Sequence, residues 1–85
     1  MNDYSIEIKK KAEKFILKQP KRQQLLLFDA ISKLPHDGDI KKVEGRGNYF
    51  RLRIGVYPII YTVDHGKLIV AVIDANTRGQ IYKRY

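Results

Sequence analysis

The stretch YFRLRIGVYPIIYTVDHGKLIVAVID, residues 49–74, decides the fold of this chain. It contains apolar runs that are separated by turn residues, first Gly55 and then Asp64-His65-Gly66. Short apolar runs joined by glycine-containing turns are typical of β-hairpins. We therefore expect a three-strand antiparallel meander. Its predicted strands are residues 49–54, 56–64 and 67–74.

The sequence before the meander predicts a short strand and two helices. Residues 4–8 alternate apolar and polar side chains, as a strand does. Apolar residues then recur at helical spacing in two stripes, Ile8, Ala12, Phe15 and Ile16 followed by Leu27, Phe28, Ile31 and Leu34. Pro20 either ends the first helix or opens the second, which we expect at residues 21–34.

The flanking segments carry weaker signals. Residues 40–48 read as a loop or an irregular strand, and residues 75–85 have loop character before a short apolar and basic end. We predict one α+β domain over residues 1–85, in which a two-helix antiparallel hairpin covers one face of a twisted sheet. The other face of the sheet is then open to water or a ligand.

Composition limits the classes of function. The 85 residues include no cysteine, which excludes disulfides and thiolate metal sites, and carry a formal charge of +8. No apolar run approaches the roughly 20 residues that span a bilayer, and the first residues lack a signal-peptide layout, so we expect a cytoplasmic protein. The charge favours a polyanion or an acidic protein as partner, although a merely solvated basic surface is the alternative.

The first meander strand places arginines on its open side. Phe50, Leu52 and Ile54 share one side of this strand, while Arg51 and Arg53 share the other. If the apolar side packs under the helices, both guanidinium groups project from the uncovered face. Guanidinium stays charged and binds phosphate oxygens in pairs.

The tail combines cationic and aromatic residues. Arg78 is followed by the segment Ile81-Tyr82-Lys83-Arg84-Tyr85. Rings on which bases stack, beside cations that neutralise the backbone, suit single-stranded RNA. We interpret Tyr57 and Tyr61 differently, as core residues with solvated hydroxyl groups.

The segments FRLRIG and YPIIYTVDHGKLIV, together with Arg78 and Tyr82, resemble the RelE/ParE toxin superfamily, and the resemblance extends over essentially the whole chain. It implies the RelE-like fold and a toxin that is paired with a cognate antitoxin protein. RelE-type members imply metal-independent cleavage of mRNA in the ribosomal A site, without a cofactor. ParE-type members imply a poison of DNA gyrase, and a degenerate, non-catalytic toxin-fold binding module is a third reading.

The resemblance also implies a catalytic set. By position, the cleaving residues become Arg51, Arg53, Arg78 and Tyr82. Pro58 stands where the pattern tends to have an arginine, and we assign no general base. The other basic residues that we predict to bind RNA are Lys41, Lys42, Arg46, Lys83 and Arg84. His36 and His65 are interpreted as surface residues with no metal-binding role.

Overall fold

Along residues 2–85, the part of the chain that the computed structural model describes, five strands and three helices follow one another. In chain order they are β1 (Ser5–Ile8), α1 (Lys10–Leu17), α2 (Lys21–Ser32), β2 (Asp39–Lys42), β3 (Tyr49–Ile54), β4 (Tyr57–Asp64), β5 (Ile69–Ala75) and α3 (Arg78–Arg84). The α+β class, the helix pair and the meander are confirmed. Pro20 opens α2 as its N-cap residue, and Ile8 belongs to β1 rather than to the first helix.

The strands form one mixed sheet in the order β1-β5-β4-β3-β2. The meander of β3, β4 and β5 is antiparallel, as predicted, while β1 pairs in parallel with β5. The prediction was incomplete for residues 40–48, because β2 is a regular edge strand in which Ile40 lies opposite Leu52. The sheet therefore has one more strand on the β3 side than the sequence indicated.

The two turns of the meander differ in how they reverse the chain. Gly55 has φ +59° and occupies the first of two central positions between β3 and β4, where a left-handed conformation favours glycine. In the second turn the left-handed residue is Leu68, at φ +55°, and not the Gly66 that the sequence suggested. Consequently β5 begins at Ile69, two residues later than predicted.

The main core lies between the sheet and the α1–α2 pair. Leu27 and Ile31 of α2 pack with Leu52, Ile59 and other sheet residues, all almost completely buried. Tyr61 is buried among them and is only 1% exposed, so its hydroxyl is not solvated, contrary to the prediction. Tyr57 packs its ring against Phe15 of α1. The apolar side of β3 therefore faces the helices, as expected.

The opposite face is not open over its whole area, which corrects the prediction. Residues 78–84 form a helix, where the sequence indicated loop character through Gly79 and then a short apolar and basic end. Ile81 of this helix packs on Ile60 of β4 and Val43 to make a second, smaller core. The N-cap of α3 is Thr77, whose side-chain oxygen accepts a long 3.5 Å hydrogen bond from the Gln80 backbone. Among residues 2–85, none of the helices has the length and apolar character to cross a membrane.

Candidate active site

The side chain of Tyr82 lies between two arginines of β3. Arg51 donates a hydrogen bond from Nη1 to the Tyr82 hydroxyl oxygen at 3.2 Å, and Arg53 donates one from Nη2 at 3.0 Å. The two arginines point the same way because alternate residues of a strand share a face. Tyr82 remains 44% exposed, so the cluster is accessible to a ligand.

Arg78 completes the cluster from the helix itself. It precedes Tyr82 by four residues, and side chains at this spacing are neighbours on a helix surface. Its guanidinium carbon is 5.3 Å from the centre of the Tyr82 ring, while that of Arg51 is 5.8 Å away. Both distances fall within the range of cation–π attraction. The four residues predicted to be catalytic are thus brought together.

This surrounding charge changes the acidity of Tyr82. Partial desolvation of its hydroxyl acts to raise the pKa, but the hydrogen bond from Arg53, the charge of Arg51 and the neighbouring Arg78 act against it. Their combined effect holds the pKa of Tyr82 below the ordinary value of 10.0. A phenol whose anionic form is stabilised is a better proton donor than a free tyrosine.

Two clefts meet at Tyr82. The larger, of about 270 Å³, is lined by Lys41, Lys42, Arg51, Tyr85 and further residues of β2 and α3. The smaller, of about 140 Å³, lies between Arg53, Pro58 and Arg78. Both clefts have cationic walls, and both include Tyr82. A phosphate bound at Tyr82 could therefore have one of its two substituents in each cleft.

The Nε atom of Arg51 is buried and has no hydrogen-bond partner among residues 2–85. A buried donor without a partner costs free energy, and such atoms are unusual in native proteins. Arg51 also lines the larger cleft, and its Nη1 contacts Tyr82, so the ligand-facing part of the guanidinium is the Nη end and not the buried Nε.

Pro58 faces this site and explains how β4 tolerates a proline. It lies opposite Arg53 in the β3–β4 ladder, and the pairing of β4 with β5 begins only at Ile59. In a two-residue hairpin the pair next to the turn exchanges the hydrogen bonds, so the N–H at position 58 would point away from β3. No ladder bond is lost, but the site lacks a cation at this position.

The predicted RNA-binding residues divide into two groups. Lys41 and Lys42 line the larger cleft, and Lys83 is exposed on α3. Arg46 and Arg84 have other contacts: Arg46 donates to the Arg84 carbonyl at 2.7 Å and lies 5.3 Å from the Tyr85 ring. The Arg84 guanidinium is paired with Asp74, so this cation is engaged within the protein.

Sequence reasoning missed the residues that hold α3 against the sheet. Asp74 is completely buried, and the side chains of Arg84, Lys11 and Tyr85 surround it. The only signal in the sequence was a lone carboxylate at the end of an apolar strand, which we took as the strand end. Its partners are distant in sequence or lie on the unpredicted helix.

Neither histidine takes part in the cluster. The His65 ring is hydrogen-bonded to the Tyr4 hydroxyl at 2.7 Å, and His36 contacts the same tyrosine edge-on. Tyr4 packs against the main core under α1 and α2, on the other side of the sheet from Tyr82. Within residues 2–85, no group of three or more potential ligands is arranged to hold a metal ion.

The architecture matches solved toxin structures. The archaeal RelE–RelB complex from Pyrococcus horikoshii OT3 aligns with a TM-score of 0.70 and 27% identity, over 94% of this chain and 99% of that chain. The RelB–RelE antitoxin–toxin complex from Methanococcus jannaschii aligns with a TM-score of 0.63 and 28% identity, over 93% and 98%. The isolated E. coli RelE toxin, at 19% identity and a TM-score of 0.72, covers 95% and 93% and shows the fold alone.

The fold is therefore that of the RelE toxins. The two archaeal RelE structures, at 27% and 28% identity, support the RelE-like toxin superfamily for this chain, in agreement with the resemblance of its sequence. No protein-family model and no curated protein matches it.

Proposed function

We propose that this protein is the toxin of a toxin–antitoxin pair and that it cleaves mRNA in the ribosomal A site as a metal-independent endoribonuclease. The observation that carries the proposal is the convergence of Arg51, Arg53 and Arg78 on the Tyr82 side chain. Three preset cations beside an accessible hydroxyl suit a reaction in which charge grows on phosphoryl oxygens. The structure neighbours that are complexes of RelE with RelB support an antitoxin partner for this chain.

In the proposed reaction the ribose 2′-oxygen attacks the adjacent phosphorus and the bond to the 5′-oxygen breaks. The products are a 2′,3′-cyclic phosphate and a 5′-hydroxyl. Arg51 and Arg53 bind the non-bridging oxygens, and each well-placed donor contributes about 3 to 4 kcal/mol of transition-state stabilisation. Arg78 stabilises the leaving 5′-oxygen, and the tyrosine ring also offers a surface on which a base stacks.

Proton transfer is proposed to involve Tyr82. Its hydroxyl oxygen accepts hydrogen bonds from both strand arginines, so its own proton is free to point towards a bound substrate. The lowered pKa favours donation of this proton to the leaving 5′-oxygen. The 2′-hydroxyl proton passes to solvent, because the cluster itself consists of arginines and this one phenol.

The test is induced expression of the wild type beside Arg78→Ala, with RNA ends mapped in both. We expect cuts inside translated codons and arrested translation in the wild type, and a loss of cleavage of about 10²- to 10³-fold in the variant. Arg22→Ala is the matched control, because this exposed arginine lies on α2, on the other side of the sheet. Intact messages during continued translation, or equal cleavage by Arg78→Ala, would refute the proposal.

Pro58 supports a second candidate function, a non-catalytic toxin-fold binding module. The site lacks a cation at this position, although Pro58 lines the same cleft as Arg53 and Arg78. This reading predicts harmless overexpression of a folded protein that still binds its antitoxin. A supercoiling assay separates both from a gyrase poison, which has no need of the Arg78–Tyr82 pair.

A further inference from the structure

Asp74 is a completely buried carboxylate outside the arginine cluster. Arg84 approaches both of its oxygens, at 2.9 Å and 3.2 Å, and Tyr85 donates a hydrogen bond at 3.3 Å. Lys11 of α1 completes the set with a 3.2 Å ion pair. Burying a carboxyl group is costly unless it is paired, and these contacts compensate for the burial of Asp74.

The helix that Asp74 holds cannot fix its own position. α3 has seven residues, and isolated helices of this length are not stable in water. Its place on the sheet therefore depends on tertiary contacts. These are the burial of Ile81, the ion pair of Arg84, and the Arg46 hydrogen bond to the Arg84 carbonyl.

Charge repulsion makes such an anchor necessary. α3 carries three cations, Arg78, Lys83 and Arg84, and its Tyr82 is pressed against the two arginines of β3. Like charges brought together oppose docking of the helix on the strand. Asp74 is the buried anion at this contact, while Glu44 lies at the rim of the larger cleft.

We propose that Asp74 is a positioning residue, which acts through Arg84 to fix α3 on the sheet and so holds the Tyr82 hydroxyl between Arg51 and Arg53. The importance of this for cleavage rests on the proposed function, but the positioning itself does not. Arg84 lies only two residues from Tyr82. A shift of α3 by about 1 Å is sufficient to disturb the alignment of catalytic groups.

The test is the titration of the Tyr82 phenol, followed by NMR with a carbon label on the ring carbon that bears the hydroxyl and assigned with Tyr82→Phe. In Asp74→Asn, loss of a nearby negative charge would by itself lower the pKa of Tyr82. Release of α3 has the opposite effect, because the phenol leaves the guanidinium groups and its pKa rises towards 10. We expect the rise. A fall or no change in the folded variant would overturn the proposal.

Arg84→Gln tests the same link from the helix side and carries the test if Asp74→Asn does not fold. The matched control is Lys83→Gln, which removes the same charge from the neighbouring, exposed position. Lys11→Gln removes a partner of Asp74 that lies on α1 instead of α3. We expect Arg84→Gln to raise the pKa of Tyr82 clearly more than either control. Equal shifts of the Tyr82 pKa in all three variants would mean that the pKa responds only to the loss of one positive charge. This result would overturn the positioning role.

Cleavage kinetics provide an independent measurement. If the RNase proposal holds, Asp74→Asn should lower kcat by about 10- to 100-fold with little change in KM, because Arg51 and Arg53 stay on the strand. An inactive wild type in which Asp74→Asn still raises the pKa of Tyr82 would refute the nuclease and leave the positioning role standing. An unshifted pKa together with an unchanged kcat would refute the positioning role alone.

Discussion

On the helix-covered face of β3, Phe50, Leu52 and Ile54 enter a core that is shared with two helices. On the other face of the same strand, Arg51 and Arg53 meet one short helix through a single tyrosine hydroxyl. The first face is specified by the repeat of apolar residues, so its packing against the helices depends on many side chains at once. The second depends on a few polar contacts and on the buried Asp74. The comparison shows that the residues of β3 that stabilise the fold are different from those that form the candidate site.

The largest expected difference is in the free energy of unfolding between variants of two adjacent residues of β3. Leu52→Ala should lower the free energy of unfolding by about 3 to 5 kcal/mol, because it removes a fully buried side chain from the main core. Arg53→Ala should change it by less than about 0.5 kcal/mol while abolishing most cleavage. Urea denaturation measures the free energy of unfolding of both variants, and RNA end mapping measures their cleavage. Equal destabilisation by the two variants would contradict the division between the faces.

The next largest expected effect is a loss of stability at high pH that is caused by Tyr61, a residue of the helix-covered face. Burial raises the pKa of Tyr61 to about 12, so the folded state resists losing this proton. The stability that this shift contributes is fully present below pH 10 and is lost as the pH rises through 12, by about 2 to 3 kcal/mol. Unfolding in urea at pH 8 and pH 12 measures it. In Tyr61→Phe most of this loss should disappear, whereas an unchanged pH dependence would assign the loss to other groups.

A smaller loss of stability is expected in the second core. Ile81→Ala should lower the global stability by about 1 to 2 kcal/mol, because α3 can detach while the sheet and the main core persist. Hydrogen exchange should show faster opening of α3 amides and unchanged protection in β4. Parallel loss of protection in both elements would mean that the two cores unfold as one unit.

The smallest expected effect is an increase in RNA cleavage. Pro58→Arg places a further cation beside Arg53 and Arg78, and we expect cleavage to increase by about tenfold, less than an optimally placed donor gives. Leu68→Arg adds the same charge at the exposed hairpin turn and serves as the control. Equal gains in both variants would indicate general attraction of RNA, and no gain in either would mean that position 58 does not contact the substrate.

The comparison also explains which parts could be predicted. The meander and the helix pair follow from apolar spacing, which reports burial directly, and Arg51 and Arg53 were placed correctly by the alternation of β3. Edge strand β2 was left ambiguous because Ile40 is its single apolar residue. An edge strand with one partly buried apolar side chain has almost no pattern to detect.

Helix α3 was missed for a different reason. Its seven residues include Gly79, and local propensity alone does not favour a helix there. It forms because Ile81 finds a site on Ile60 and because Arg84 finds Asp74, contacts that link residues across the sheet. Resemblance therefore identified Arg78 and Tyr82 as site residues, whereas the helix that carries both of them was not predicted.

The parallel pairing of β1 with β5 joins residues 5–8 to residues 69–72, near opposite ends of the described chain. Such a long-range contact forms only after the intervening residues are available, so β1 cannot pair until β5 has been synthesised. A nascent chain that stops at the β4–β5 turn lacks β5, with its ladders to β1 and β4, and the helix that carries Tyr82. Tyr82 can therefore reach its place between Arg51 and Arg53 only after both β5 and α3 have been synthesised.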